Sequence, residues 1–259
     1  MKTLMVLISL LMLLSPFAQA SECTFSSKPQ IIFQADHELH QVWSEEGAEV
    51  FQSNELPSSP SFLNYLSTIQ SKISDLNPYS LLRKEYDDFM NTKDPGFVAE
   101  AANMFLALNK QAGTLRSINC LEALLLSQQT ERGLSWDSPM EFSAFILKRT
   151  DGAKTSLKIY SSTNDRPGGK INSDVMDLIQ TDLSNGWILW RHIHNHNFNT
   201  TASHGIILVG GPSPGLTDVD LYRQFSRDYG LQSAAVTNGF DTLEFGSDEF
   251  DIFHGHFSR

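Results

Sequence analysis

The spacing of apolar residues in this chain of 259 residues changes between residues 132 and 139, and this change limits the folds open to it. From Pro60 up to that point, apolar side chains recur three or four positions apart, which is typical of amphipathic helices. After it, a continuous apolar run and then alternating residues predict strands. We therefore expect a mixed α/β (α+β) fold with two regions, a mainly helical one over 21–133 and a sheet domain over 134–259.

Turn and cap residues divide each region into elements. Asn77-Pro78, Asp94-Pro95, Gly113 and Gly133 delimit four predicted helices, which together form a helical subdomain over 61–132. Strands are predicted at 142–147, 155–160 and 187–190, helices at 173–183 and 217–228, and a hairpin at Asn238-Gly239. A short strand is expected at 30–33, whereas the polar segment from there to Pro60 predicts no element.

The N-terminus predicts export. Lys2, an apolar run over 4–14 and Ala18-Gln19-Ala20 are typical of a secretory signal peptide over residues 1–20. No later stretch approaches the roughly 20 apolar residues of a membrane span, so no membrane insertion is expected after cleavage. The two cysteines, Cys23 and Cys120, predict a disulfide in an oxidising compartment, secreted or periplasmic. The net charge of −11 argues against a nucleic-acid partner.

Three histidines at a spacing of two, His192, His194 and His196, follow the predicted strand at 187–190. On a strand, side chains two positions apart share a face, so these imidazoles can converge on one point and offer nitrogen ligands to a metal. The plain alternative, a set of core or surface histidines, is less compatible with three in alternation.

Carboxylates near other predicted elements could complete such a site. Glu141 precedes the apolar strand at 142–147, where packing alone does not call for a charge. Thr217, Asp218 and Asp220 open the helix at 217–228. A catalytic zinc site usually has three protein ligands and leaves its fourth position to water.

The order Glu141, then His194-Asn195-His196, then Thr217-x-x-Asp220 resembles the JAMM motif of the JAB/MPN zinc metallopeptidases, which have a Glu, then His-x-His, then Ser-x-x-Asp. The resemblance covers roughly residues 134–246. It implies a JAB/MPN-like mixed sheet flanked by helices, with Zn²⁺ bound by His194, His196 and Asp220. It also implies that Glu141 acts as the general base, and that Thr217, in the position of the family's Ser, helps to hold the oxyanion.

Some histidine assignments stay open. The pair His192 and His194 has the same spacing, but we prefer His194 and His196 and expect His192 to pack or support the ligands. His204 lies in an apparent insertion over 199–211 and is either a further contact to the metal or an unliganded loop residue. His254 and His256 repeat the spacing near the C-terminus and are a weaker candidate for a second metal site. Asp218 is interpreted as a helix N-terminal charge favoured by the dipole.

The resemblance implies an exported zinc metallopeptidase that hydrolyses a peptide or isopeptide bond of a peptide or protein substrate. The alternative is a catalytically inactive JAB/MPN-like module that binds a metal or a protein. Glu141 discriminates between the two, because a module that only binds metal has no use for a carboxylate that is not a ligand.

Overall fold

A computed structural model describes residues 23–35, 38–51, 55–132, 141–164, 173–196, 198 and 210–256. The predicted signal peptide, Pro139, His204 and most of the 199–211 segment lie outside these residues. The strands are β1 Gln30–Gln34, β2 Glu38–Glu46, β3 Thr114–Ser117, β4 Phe142–Asp151, β5 Lys154–Asn164, β6 Ile188–Asn195, β7 Ser233–Thr237 and β8 Asp241–Gly246. The helices are α1 Pro60–Lys72, α2 Pro78–Thr92, α3 Pro95–Leu108, α4 Cys120–Glu131, α5 Ser173–Ser184 and α6 Leu216–Tyr229.

The strands form one mixed sheet of eight in the order β1-β2-β5-β4-β6-β7-β8-β3, and six helices flank it. All neighbouring strands are antiparallel except β6 and β7, which run parallel. The chain passes from β6 through α6 to β7, so α6 belongs to the crossover that a parallel pair requires. The mixed α/β prediction is confirmed.

The predicted helices form where local signals place their starts. The side chains of Asn77 and Asp94 accept hydrogen bonds from the first turns of α2 and α3, and a proline follows each cap. Asn119 and Glu122 form a reciprocal capping box at the start of α4. The hairpin at Asn238-Gly239 also forms, with Gly239 at φ 90° between β7 and β8.

Two strands of the N-terminal region were not predicted. β2 pairs with β5 along its whole length, although it buries the polar residues His40, Gln41 and Glu45. Hydrogen bonds make this burial tolerable: His40 Nδ1 lies 2.7 Å from Ser162 Oγ, for example. β3, only four residues long, pairs with β8 at the far edge. The N-terminal region therefore supplies both edges of the sheet as well as four helices.

Helices cover both faces of the sheet. On one face, α2, α3, α5 and α6 pack against strand residues that include Phe145 and Tyr160. On the other, α1 and α4 pack around Trp43, Phe142 and Ile146. Burial on both faces explains why the first strand after Pro139 reads as a continuous apolar run rather than an alternation.

A disulfide closes the N-terminal region, and ion pairs attach that region to the far edge of the sheet. Cys23 and Cys120, the latter at the start of α4, form the predicted disulfide, with their Cα atoms 5.5 Å apart. Arg116 of β3 donates to the fully buried carboxylate of Glu122 and, at 2.8 Å, to Glu244 of β8. Among the helices that the structure describes, none has the length and apolarity needed to cross a membrane.

Candidate metal centre

The histidine stretch forms the carboxyl end of the central strand β6. His194 lies opposite Ser143 of β4 on one side and Val236 of β7 on the other. The backbone N–H of His196 donates to Thr237 O at 2.8 Å, which continues the pairing past the last strand residue. Ligand sites in sheets with parallel strands commonly lie beyond the carboxyl ends of those strands, next to a helix N-terminus, and the histidines have this position relative to α6.

Two histidines and one aspartate converge at this end. The Nε2 atoms of His194 and His196 are 3.1 Å apart. Asp218 Oδ2 lies 3.3 Å from the first and 3.4 Å from the second. Within the described part of the chain this is the one group of three or more His, Cys, Asp or Glu side chains whose ligand atoms all lie within 4.8 Å of one another. Two imidazole nitrogens and a carboxylate oxygen are donor atoms of the kind that bind divalent metal ions such as Zn²⁺.

Charge interactions inside the group are strong. Burial would raise the pKa of Asp218, but His194 and His196 hold that pKa well below its usual value. Burial would lower the pKa of His196, yet its hydrogen bond to Asp218 and the nearby charges of Asp218, Glu141 and Glu85 raise it to about 9. The carboxylate of Asp218 also accepts from Gly215 N–H at 2.8 Å and so caps α6.

The structure does not bring Asp220, the predicted third ligand, to the histidines. Its carboxylate accepts from His256 N–H at 2.9 Å and lies 3.8 Å from Arg223 Nη1. Two positions along a helix correspond to a rotation of about 200°, so Asp218 and Asp220 face different sides of α6. Asp218, which we interpreted as a dipole-favoured charge, faces the histidines, and Asp220 instead helps to hold the C-terminal segment.

Thr217 is also placed differently from the expectation. Its Oγ1 lies 3.3 Å from His256 Nε2, at the exposed side of the helix start. If Asp218 is the aspartate of the motif, the position three residues earlier is Gly215, which has no hydroxyl. The role in holding an oxyanion therefore has no support at Thr217.

Glu141 lies close to the group through strand register. β4 and β6 are antiparallel with Ser143 opposite His194, and two residues further along each strand lead to Glu141 and His196. The amide of Phe142 donates to Asn195 Oδ1 at 2.7 Å, which keeps the strands together at this end. Burial, and after it the charges of Asp218 and Glu141, raise the pKa of Tyr222, and the charge of Glu141 also contributes to the raised pKa of His196.

His192 lies deeper, as expected, and is not part of the ligand group. Its Nε2 is 2.8 Å from Ser143 Oγ, and its ring packs against Phe145 and Tyr222 at centroid distances of 4.7 and 5.5 Å. Burial, together with the charge of His194, lowers its pKa to about 3, so the ring is neutral.

Two acidic residues of the N-terminal helices, which the sequence reasoning missed, border the centre. Glu85 of α2 is buried, accepts from Gly211 N–H at 2.7 Å, and has its pKa raised to about 7 by burial. Burial also raises the pKa of Glu100 of α3, against the opposing charge of His196. A signal for Glu85 exists in the sequence, because it stands four residues from both Leu81 and Phe89 on the apolar stripe of α2.

A buried asparagine fastens the backbone around the centre. Asn103 of α3 donates to the carbonyl oxygens of Pro214 and His254 at 3.1 and 2.9 Å, and its own oxygen accepts from His254 N–H at 2.7 Å. The loop that leads into α6 and the C-terminal segment are thus both tied to the N-terminal region. In the described residues His254 and His256 form no second metal-ligating group.

No protein-family model, curated protein or solved structure matches this chain. The resemblance to JAB/MPN metallopeptidases therefore depends on the order of residues in the sequence alone, and Asp220 of that order does not lie at the histidines.

Proposed function

We propose that the protein is an exported zinc-dependent metallopeptidase of JAB/MPN type that hydrolyses a peptide or isopeptide bond. The observation that carries the proposal is the convergence of His194, His196 and Asp218 at the end of β6, with Glu141 immediately before the adjacent strand β4. The disulfide is compatible with export to an oxidising compartment.

The donor set fits Zn²⁺. His194, His196 and Asp218 would hold the metal, and three protein ligands leave a position for water. Zinc bound in such a site lowers the pKa of its water to about 7 and polarises a substrate carbonyl.

The remaining chemistry is proton transfer by Glu141. Its carboxylate would accept the proton of the attacking water and return it to the leaving amine, which is general acid–base catalysis. Glu141 suits this role because it stands immediately before β4, the strand beside the histidine ligands, and its charge acts on His196. His192 is neutral and packed, so it takes no part in the transfer.

The second candidate is an inactive metal- or protein-binding module of the same type. It is favoured by Gly215, because the corresponding motif position carries a hydroxyl in the family that the sequence resembles. The position of Glu141 favours the enzyme, since a purely structural metal site needs no further carboxylate beside it.

The metal assignment is tested by a matched pair of variants on one helix. The wild type should bind about one zinc per chain, measured by calorimetry and by metal analysis. Asp218→Asn keeps an acceptor for Gly215 N–H but should weaken zinc binding by more than the roughly 10–100-fold that losing a supporting residue costs. Asp220→Asn, which alters only the contacts to Arg223 and His256, should bind zinc like the wild type. Equal affinities of the two variants would remove Asp218 from the site.

Catalysis is tested separately with Glu141→Gln on zinc-loaded protein. Using fluorogenic peptide libraries and an isopeptide-linked fluorogenic pair, we expect zinc binding to persist and the rate to fall by about 10²–10⁴-fold. Full activity in Glu141→Gln would disprove the general-base role. Zinc binding without hydrolysis in the wild type would favour the inactive module.

A further inference from the structure

The ring of His194 is held at both of its nitrogens by residues of α6. Its Nε2 faces Asp218 at 3.3 Å, and its Nδ1 lies 2.9 Å from the hydroxyl oxygen of Tyr222. Asp218 and Tyr222 are four residues apart, so they lie on the same side of the helix. One helical turn therefore contacts the two opposite nitrogens of one imidazole.

The hydroxyl of Tyr222 has a fixed position. Tyr222 is 1% exposed, and its ring packs against Phe245, Phe250 and His192 at centroid distances of 5.5, 5.6 and 5.5 Å. These ring contacts do not involve the hydroxyl. Removal of the hydroxyl alone should therefore leave the packing intact.

A bound metal fixes the direction of the hydrogen bond between His194 and Tyr222. A metal ligand needs the lone pair of Nε2, which places the ring proton on Nδ1, and Nδ1–H then donates to the hydroxyl oxygen of Tyr222. A phenol oxygen can accept this hydrogen bond.

We propose that Tyr222 is a positioning residue of the metal centre, whose hydroxyl accepts from Nδ1–H of His194 and holds the ring with Nε2 directed at the metal. This inference depends on the proposed zinc site but not on its hydrolytic activity. In the metal-bound state the ring proton has no position other than Nδ1, so removing the hydroxyl leaves a buried Nδ1–H without a partner and penalises that state.

The first test is the affinity of Tyr222→Phe for Zn²⁺ and Co²⁺, measured by competition with a chromophoric chelator. We expect a loss of about 10–100-fold relative to wild type, together with a changed visible spectrum of the Co²⁺ form. Tyr229→Phe is the control, because that hydroxyl lies on the same helix but meets only Gln180 at 3.2 Å on the exposed side. Affinity of Tyr222→Phe within about twofold of wild type would refute the inference.

A second measurement uses the unaltered protein and so does not depend on how the variant folds. In histidine labelled with ¹⁵N, NMR identifies which ring nitrogen of His194 carries the proton. We expect zinc-bound His194 to carry its proton on Nδ1 and to bind the metal through Nε2. A zinc-bound ring that carries its proton on Nε2 contradicts the proposed role of Tyr222. Failure of the wild type to bind either metal would overturn the metal centre itself and, with it, the role of Tyr222.

Discussion

Breaking the disulfide between Cys23 and Cys120 should remove a large part of the protein's stability. The two cysteines are 97 positions apart, so the bridge closes a long loop that contains α1, α2, α3 and the strands β1, β2 and β3. The chain-entropy model gives about 4.7 kcal/mol for a loop of this size, because the bridge restricts the unfolded chain. Since single domains are typically stable by about 5–15 kcal/mol, the reduced protein should be close to its threshold of stability.

The assay is urea unfolding followed by circular dichroism, with and without a phosphine reductant. We expect the free energy of unfolding of the wild type to fall by about 3–5 kcal/mol on reduction. A double variant, Cys23→Ala with Cys120→Ala, should be equally weakened and should not respond to the reductant. A decrease below about 1 kcal/mol on reduction would show that the bridge adds little to a region that the sheet already holds.

Two further perturbations address buried charges. Because burial raises the pKa of Glu85 to about 7, its contribution to stability is present below about pH 4.5 and is lost as the pH rises through 7. Between pH 4 and 8 the free energy of unfolding of the wild type should therefore fall by about 3 kcal/mol more than that of Glu85→Gln, measured in chelator-treated samples. Asp87→Asn, at an exposed position, is the control and should follow the wild type. Parallel curves of stability against pH for the wild type and Glu85→Gln would contradict this prediction. Arg116→Ala leaves the carboxylate of Glu122 buried without its cation and should cost about 3–5 kcal/mol in urea unfolding. Arg227→Ala, whose ion pair is exposed, should cost less than about 1 kcal/mol, and equal losses in the two variants would argue against a special role for the buried pair.

The sequence predicts the helices α2 and α3 well because each has a periodic apolar stripe and a side-chain cap followed by proline. The sequence does not predict β2, although this strand pairs along its whole length, because the buried polar residues His40 and Glu45 interrupt its apolar pattern. Hydrogen bonds to partners distant in sequence make that burial tolerable, and no local pattern reveals them. β3 was missed because four residues at a sheet edge carry too little periodicity.

The residues of the candidate metal centre were likewise predicted only where the signal is local in sequence. The spacing of the histidines is local, so it identifies the stretch from His192 to His196, but it fits the pair His192 and His194 as well as the pair His194 and His196. The choice between Asp218 and Asp220 depends on which side of α6 faces the sheet. That information was present in the helical period, because Asp218 stands four residues before Tyr222, whose side chain is buried in the core. Glu85 and Glu100 could not be assigned to the centre from spacing alone, since helix packing across the sheet brings them there.

The hydrogen bonds of Asn103 bear on how this protein could be rearranged. The loop before α6 and the C-terminal segment are hydrogen-bonded to a side chain of α3, so the second region does not supply every contact that holds the centre. A fragment beginning near residue 134, or a chimera that exchanges only the second region, would leave polar backbone atoms of Pro214 and His254 without this partner. A chimera should keep the centre intact only if α3 and β6, which carries the histidines, come from the same parent protein.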